Sequence, residues 1–330
     1  MRVLIVGSGA WATAISSLCT EAGCDVTMWG RNQSLIEELQ RTGFHPGLEG
    51  KPRLGAQVCF VHTFENLPKF DLIILATSFH SLRFVLERMA DSGLDFSGIA
   101  CASKGIEQET LCFAADVVEQ VFGTEVCFAQ ISGPNFAHEI LEGKPSATAV
   151  GSNDPQFGQV VATALHTESF RPYYTQDLIG VQVGGALKNI IAIAAGVSDG
   201  MGLGANARAA LITRGLAEIT RFGVRLGAVP RTFMGMAGVG DLVLTCSDDQ
   251  SRNRRYGLTL AGSGGLSTST QTPPTLVEGL YSVHAVIERA KKSGLEMPIS
   301  QAVFDIVNGR QKPVEAVSEL LGREIPNEAT

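Results

Sequence analysis

Arg2-Val3-Leu4-Ile5-Val6-Gly7-Ser8-Gly9-Ala10-Trp11-Ala12 is the stretch that decides the fold. Residues 2–6 form a short, almost wholly aliphatic run that reads as a buried strand, and the Ala-rich run 11–22 reads as an apolar helix. Between them, Gly7 to Ala12 matches the pattern GxGxx(G/A). A lone glycine pattern arises by chance, and a plain glycine-rich turn is the competing reading. Placed after a strand and opening a helix, the pattern is the dinucleotide fingerprint. Gly7 permits the tight turn, and Gly9 lets a pyrophosphate approach the backbone beside Ser8. Unpaired N–H groups at the helix start, at Ala10 and Trp11, favour the anion. Ala12, in the third glycine position, is small enough for close helix–sheet packing.

Outward from this unit the same alternation continues. Strand-like runs fall at 25–29, 57–62, 71–77, 97–102, 126–131 and 146–151, with a short one at 170–174. Helix-compatible stretches separate them at 34–42, 81–92 and 110–122. That pattern predicts an α/β fold with a Rossmann-like, doubly wound, mostly parallel sheet. After about residue 175 strands become scarce and helical segments follow at 178–197, 206–226, from 242 onward, 277–293 and 298–308. We therefore expect a dinucleotide-binding domain over 1–175 and an all-helical substrate-binding domain over 176–330. The segment 261–274, AGSGGLSTSTQTPP, has the composition of a mobile loop.

A chain of 330 residues suits two cores better than one. Its net charge of −7 speaks against nucleic acid or an anionic membrane as a general partner, yet allows a local basic pocket. Seven scattered cysteines and six histidines show no zinc-ligand spacing, so no metal is expected, and the thiols fit a reducing compartment. Gly7 and Gly9 interrupt the one stretch that could pass for a signal peptide, and no apolar run reaches the ~20 residues of a membrane span. A cytoplasmic location is the expectation.

Candidate chemistry clusters where strands end, since ligands of open α/β sheets bind beyond the carboxyl ends. The second strand ends in Trp29-Gly30-Arg31 without the acid that would hold a ribose hydroxyl. Arg31 can meet the 2′-phosphate of NADP instead or stack on adenine, or is a solvated arginine. Lys104, in Ser103-Lys104-Gly105, projects from another strand end, or is a loop lysine. Ser132-Gly133-Pro134-Asn135-Phe136-Ala137 follows a third, with Pro134 suited to a helix first turn. Lys188 lies in GGALKNIIA, apolar almost all round, with Gly184 and Gly185 clearing its helix face so that something can approach closely. A buried ammonium needs a partner and has a lowered pKa; the alternative is a lysine whose head reaches water. Asp241, after Gly238-Val239-Gly240, either caps a helix or orients Lys188, with Thr245 on the same face. Ser251-Arg252-Asn253-Arg254-Arg255 reads as a phosphate site on an acidic protein, with one or two of its arginines on a solvated face.

Taken in order, GSGAWATA, WGR, SKG, ISGPNFAHE, GGALKNIIAIAAG, GVGDLVLTC, SRNRRYG and LVEG resemble the bacterial-type NAD(P)-dependent glycerol-3-phosphate dehydrogenases over nearly the whole chain. The resemblance implies interconversion of sn-glycerol 3-phosphate and dihydroxyacetone phosphate with NADP or NAD, supplying glycerol 3-phosphate for phospholipid synthesis. It implies acid/base catalysis by Lys188, with Lys104 and Asp241 in support. It implies substrate contacts at Lys104, Gly133, Asn135, Lys188, Asp241, Ser251, Arg252 and Asn253. Coenzyme contacts would fall on Gly7, Ser8, Gly9, Ala10, Trp11, Arg31, Lys104, Ala137, Arg252, Leu276 and Glu278, and the chain would form a homodimer. Departures are Ala12 for the usual glycine and the Ser/Thr-rich 261–274 where the family is more helix-like and acidic. Two rivals share the fold: a hydroxyacid or sugar-acid dehydrogenase, and a non-catalytic dinucleotide sensor.

Overall fold

The computed structural model describes residues 1–48, 54, 57–262 and 276–322. Eight strands form one sheet: β1 (Arg2–Val6), β2 (Asp25–Trp29), β3 (Cys59–Val61), β4 (Leu72–Leu75), β5 (Gly98–Cys101), β6 (Cys127–Ser132), β7 (Ser146–Gly151) and β8 (Phe170–Thr175). Their order is β3-β2-β1-β4-β5-β6-β7-β8, with every neighbour parallel except the antiparallel pair β6–β7. The first six strands thus carry the 3-2-1-4-5-6 order of dinucleotide folds, whose crevice opens between β1 and β4. Helices α1 (Ala10–Glu21), α2 (Gln33–Thr42), α3 (Leu82–Asp91), α4 (Ala114–Phe122), α5 (Ala137–Leu141) and α6 (Pro155–Leu165) cover its faces.

β1 and β4 have no exposed face after Arg2, because helices lie on both sides, so their sequences are continuous aliphatic runs rather than alternating ones. α1 starts at Gly9 with no side-chain cap, which leaves its first amides unclaimed. The helix expected from 110 begins four residues later. Leu111 turns into the left-handed region at φ 61°, and Phe113 donates its N–H to Asp116 at 2.9 Å. α5 and α6 were not legible as helices; α5 is barely more than one turn, and α6 opens on Asp154-Pro155, with Asp154 accepting from Gln156 and Phe157.

The second half is helical: α7 (Leu178–Gly200), α8 (Gly204–Arg225), α9 (Asp241–Ser247), α10 (Arg252–Gly262), α11 (Glu278–Lys292), α12 (Pro298–Val307) and α13 (Pro313–Leu321). α10 and α13 are additions to the sequence expectation, and the Ser/Thr-rich 261–274 lies from 263 onward outside the described residues. α7 is the axis of this half. It is the one helix among the described residues long and apolar enough to cross a membrane, and it is buried in the protein instead. Glycines let neighbours reach its backbone: an added Cβ on Gly257 of α10 would stand 2.9 Å from the Gly196 Cα.

The two halves share a core. Ile106, Leu111 and Phe113, from the segment after β5, are buried among α7 and α11 residues such as Val183, Leu187 and Val286. That segment is fastened at both ends. Arg83 holds Glu107 through Nε at 2.8 Å and Nη2 at 2.7 Å, and Arg289 of α11 donates to the Leu111 carbonyl at 2.7 Å while lying over the Phe113 ring. Lys104 therefore sits on a braced loop.

Candidate active site

Three charges from three elements meet where the halves join. Asp241, 1% exposed, accepts from Lys188 Nζ through Oδ1 and from Lys104 Nζ through Oδ2 at 2.6 Å. Lys188 also donates to the Thr245 hydroxyl at 2.8 Å, and Lys104 to the Gly133 carbonyl at 3.1 Å. Burial drives the Lys188 ammonium down to about 8; Asp241 opposes that shift and the neighbouring Lys104 adds to it. Burial pushes the Asp241 carboxyl up, but Lys104 and Lys188 outweigh it and hold the group below its ordinary value. One carboxylate thus bridges two ammonium groups, leaving a net positive pocket beside the end of β6.

This arrangement decides between the two readings of Asp241 and corrects the reading of the glycine-cleared face. Asp241 is the first residue of α9 and spends both oxygens on the lysines, rather than serving as a simple cap. The space cleared by Gly184 and Gly185 is filled by the protein itself. A Cβ on Gly185 would lie 2.6 Å from Ser132 Oγ and 3.3 Å from Lys104 Cγ, and one on Gly184 would strike the Ala237 carbonyl. What approaches Lys188 closely is thus the second lysine. Pro134 also falls short of its expected place, since α5 begins at Ala137 with Phe136 in the capping position.

The motif expected to hold phosphate opens α10, with Ser251 and Asn253 buried and Arg252 exposed. Asn253 Nδ2 donates to Asn189 Oδ1 at 3.0 Å, which ties this turn to the residue next to Lys188. Asn253 Oδ1 accepts from Gly279 N–H at 2.9 Å, which ties it to the start of α11. Of the three arginines read as one cluster, Arg254 turns inward to Asp199 and Asp249, and Arg255 donates to the Asp249 carbonyl. Arg252 makes no side-chain hydrogen bond among the described residues and Arg255 commits only Nη1, so these two exposed arginines remain for an anion while Arg254 does not.

Along the sheet edge, Gly7 adopts φ +134°, and a Cβ there would stand 2.6 Å from the Ala76 carbonyl, so only glycine fits this crossing of β1 and β4. Gly9 has no neighbouring atom within 4 Å of its added Cβ, leaving its face open. Ser8 is half-buried and its carbonyl faces the His45 ring at 2.9 Å. Ala10 and Trp11 begin α1, and Ala137 begins α5. Glu278, the first residue of α11, accepts from the Phe79 N–H at 3.3 Å, and burial raises its carboxyl to about 7 against that bond and the pull of Arg252. Leu276 is half-buried just before it. Arg31 stands apart, exposed and without an ion-pair partner among the described residues.

A nicotinamide dinucleotide fits these residues. The glycine turn and uncapped α1 amides suit its pyrophosphate, and Thr77 Oγ1 and Asn135 Oδ1 lie buried near the ends of β4 and β6 with no partner among the described residues. Ser132, named in the sequence motif but given no role there, places its hydroxyl 3.5 Å from Asp241, and Phe79 escaped the sequence reading. Ser132 carried a signal, lying at the strand end before Gly133; Phe79 acts through its backbone and carried none.

A 3-2-1-4-5-6 sheet with an open glycine turn, facing a buried lysine–carboxylate–lysine cluster, defines the class: a nicotinamide-dependent oxidoreductase with a helical second domain. Comparison with known proteins narrows it. Residues 2–158 match the profile of the NAD-dependent glycerol-3-phosphate dehydrogenase N-terminus, and residues 177–318 that of its C-terminus. The chain belongs to this family. It is 41% identical to the glycerol-3-phosphate dehydrogenase [NAD(P)+] of Dechloromonas aromatica, with 98% of each chain covered. Against the enzyme of the same name from Methylobacillus flagellatus it is 41% identical, with 100% of each covered. The crystal structure of glycerol-3-phosphate dehydrogenase from Coxiella burnetii superposes with a TM-score of 0.89 at 36% identity, covering 98% of this chain and 99% of that one.

Proposed function

We infer that this chain interconverts sn-glycerol 3-phosphate and dihydroxyacetone phosphate with NAD(P), and that Lys188 moves the proton. The observation that carries the assignment is the Lys188–Asp241–Lys104 cluster, linked through Asn189 to the turn that bears Arg252 and Asn253. A lysine near 8 can both give and take a proton at neutral pH. In the reducing direction protonated Lys188 donates to the substrate C2 oxygen; in the oxidising direction neutral Lys188 accepts the hydroxyl proton. Asp241 orients Lys188 and keeps its charged form accessible despite burial. Lys104 supplies a second N–H to the oxygen as negative charge gathers there, with Gly133 and Asn135 shaping the same wall. Ser251, Arg252 and Asn253, with the first amides of α10, hold the phosphate.

The bound coenzyme supplies or accepts a hydride at substrate C2. Gly7, Ser8, Gly9, Ala10 and Trp11 hold its pyrophosphate side, Arg31 its adenosine end, and Ala137, Leu276 and Glu278 line the path toward Lys104 and Arg252. Arg31 in place of an acid supports acceptance of NADP as well as NAD. We place the boundary between coenzyme and substrate domains at 175/176, the end of β8. The product feeds phospholipid synthesis, and the seven unpaired thiols support a cytoplasmic site for it.

The test is coenzyme oxidation with dihydroxyacetone phosphate beside 2-oxo acids. Rapid oxidation with the phosphorylated ketone alone is the expected result; turnover of 2-oxo acids instead, or tight coenzyme binding without turnover, contradicts it. The chain also pairs with a second copy. An apolar groove of about 1080 Å³ between α7, α8, α12 and α13, with Leu203 and Leu321 exposed at it, supports a helical-domain interface. Light scattering should give twice 35.0 kDa, and a monomer mass would refute the pairing.

A further inference from the structure

The substrate's phosphate cradle sits on a short helix, and something must fix that helix relative to the proton donor. Arg254 is 8% exposed, and none of its side-chain nitrogens is left for a ligand. Nε donates to Asp199 Oδ2 at 3.2 Å, Nη2 to the same oxygen at 2.7 Å, and Nη1 to Asp249. Asp199 in turn receives Arg208 of α8 on both oxygens at 2.9 Å. Its carboxylate is therefore a hub joining α7, α8 and α10. Asp199 follows Lys188 by eleven residues on α7. At about 100° and 1.5 Å per residue this puts both on one face of the helix, roughly 16 Å apart. Between them α10 lies against α7 backbone to backbone, since a Cβ on Gly196 would strike the Arg254 carbonyl. At its other end the Arg254 N–H is received by Ser251 Oγ at 3.2 Å, so the arginine's backbone orders the very residue next to Arg252.

We propose that Asp199 and Arg254 are positioning residues for the dehydrogenase reaction: they lock the first turn of α10 onto α7 and so set where the substrate's phosphate stands relative to Lys188. Neither touches substrate. Arg254 is already matched by two carboxylates, which takes it out of the anion's reach and leaves the exposed arginines, Arg252 foremost in the turn, to meet it. A buried Arg–carboxylate hub resists displacement because removing one partner strands the other charge. The proposal rests on the assignment of Ser251, Arg252 and Asn253 to phosphate.

The experiment measures four quantities for Asp199→Asn, Arg254→Lys, Arg252→Ala and Arg208→Ala. They are the KM for dihydroxyacetone phosphate, kcat, the Ki of inorganic phosphate as a competitive inhibitor, and the coenzyme Kd. Asp199→Asn should raise KM and the phosphate Ki together by roughly tenfold or more, with kcat and coenzyme Kd changed far less. Arg254→Lys, which keeps one charge on Asp199, should fall between that variant and wild type. Arg208→Ala should match wild type, because Arg254 still occupies the hub. If Arg252→Ala loses phosphate inhibition while Asp199→Asn and Arg254→Lys keep wild-type KM and Ki, the positioning role is wrong and the phosphate assignment stands. If Arg252→Ala keeps phosphate inhibition, the assignment fails and takes the proposal with it. Should Asp199→Asn not fold, Arg254→Lys decides: a shared rise in KM and Ki at unchanged coenzyme Kd supports the lock. Equal losses in all four quantities, tracking a lower Tm, would make the pair merely structural and overturn it.

Discussion

Replacing Asp241 by Asn removes the one negative charge between two ammonium groups and keeps the side chain's shape. In the native site that carboxylate holds Lys188 at about 8 against the burial and the Lys104 repulsion that both pull it down. An adjacent opposite charge moves a pKa by ~1–3 units, so the variant's Lys188 should titrate near 6. At pH 7 the protonated fraction then falls from ~90% to ~10%, about a tenfold loss of the proton donor before any misalignment. The pH profile reads this directly. In the reducing direction the donor must be protonated, so kcat falls as pH rises through about 8 in the native enzyme, and through about 6 in the variant. In the oxidising direction both limbs run the other way. Below pH 6, where Lys188 must keep its charge beside Lys104 without the carboxylate, the variant should also show a lower Tm than the native protein. A variant whose alkaline limb stays near pH 8 would refute the coupling of Lys188 to Asp241.

Other consequences follow from single contacts. Arg31→Ala should raise the KM for NADPH by roughly five- to tenfold and leave NADH almost unchanged, measured by coenzyme oxidation at fixed substrate. Gly257→Ala drives a methyl into the Ile193 carbonyl and to 2.8 Å from the Val197 backbone nitrogen. Overpacking of this kind costs ~1–3 kcal/mol, so Tm should drop and the substrate KM should rise with it. Glu278 is an acid whose folded value is raised from 4.5 to about 7, so the folded protein holds its proton more tightly than the unfolded chain. Stability from this group is full below about 4.5 and is lost as pH rises to about 7. Without coenzyme, Glu278→Gln should melt higher than the native protein at pH 8 and show no gain at pH 4.5, as followed by circular dichroism.

The sheet was legible because β1 and β4 are buried on both faces, which writes them as continuous aliphatic runs, and because Gly7 and Gly9 punctuate the first turn. Lys188 was legible for a related reason: a lysine in an otherwise apolar helix stands out. Its partners were harder to see. Asp241 and Lys104 are 53 and 84 residues from Lys188, and only the packing of α9 and the braced 103–113 loop brings them together. α5 escaped because so short a helix has little periodicity, and the start of α10 reads first as a phosphate site, with a solvated helix face only as the alternative. The arginines at 252, 254 and 255 look alike in sequence; their different fates depend on Asp199 and Asp249, which local reading does not connect to them.

The most direct test of the central claim is NADPH oxidation with dihydroxyacetone phosphate by the native protein and by Lys188→Ala, with coenzyme affinity measured in parallel by fluorescence. Loss of a positioned proton donor should lower turnover by ~10²–10⁴-fold while the coenzyme Kd stays the same. Turnover retained within a few-fold of native would contradict the assignment of the proton transfer to Lys188.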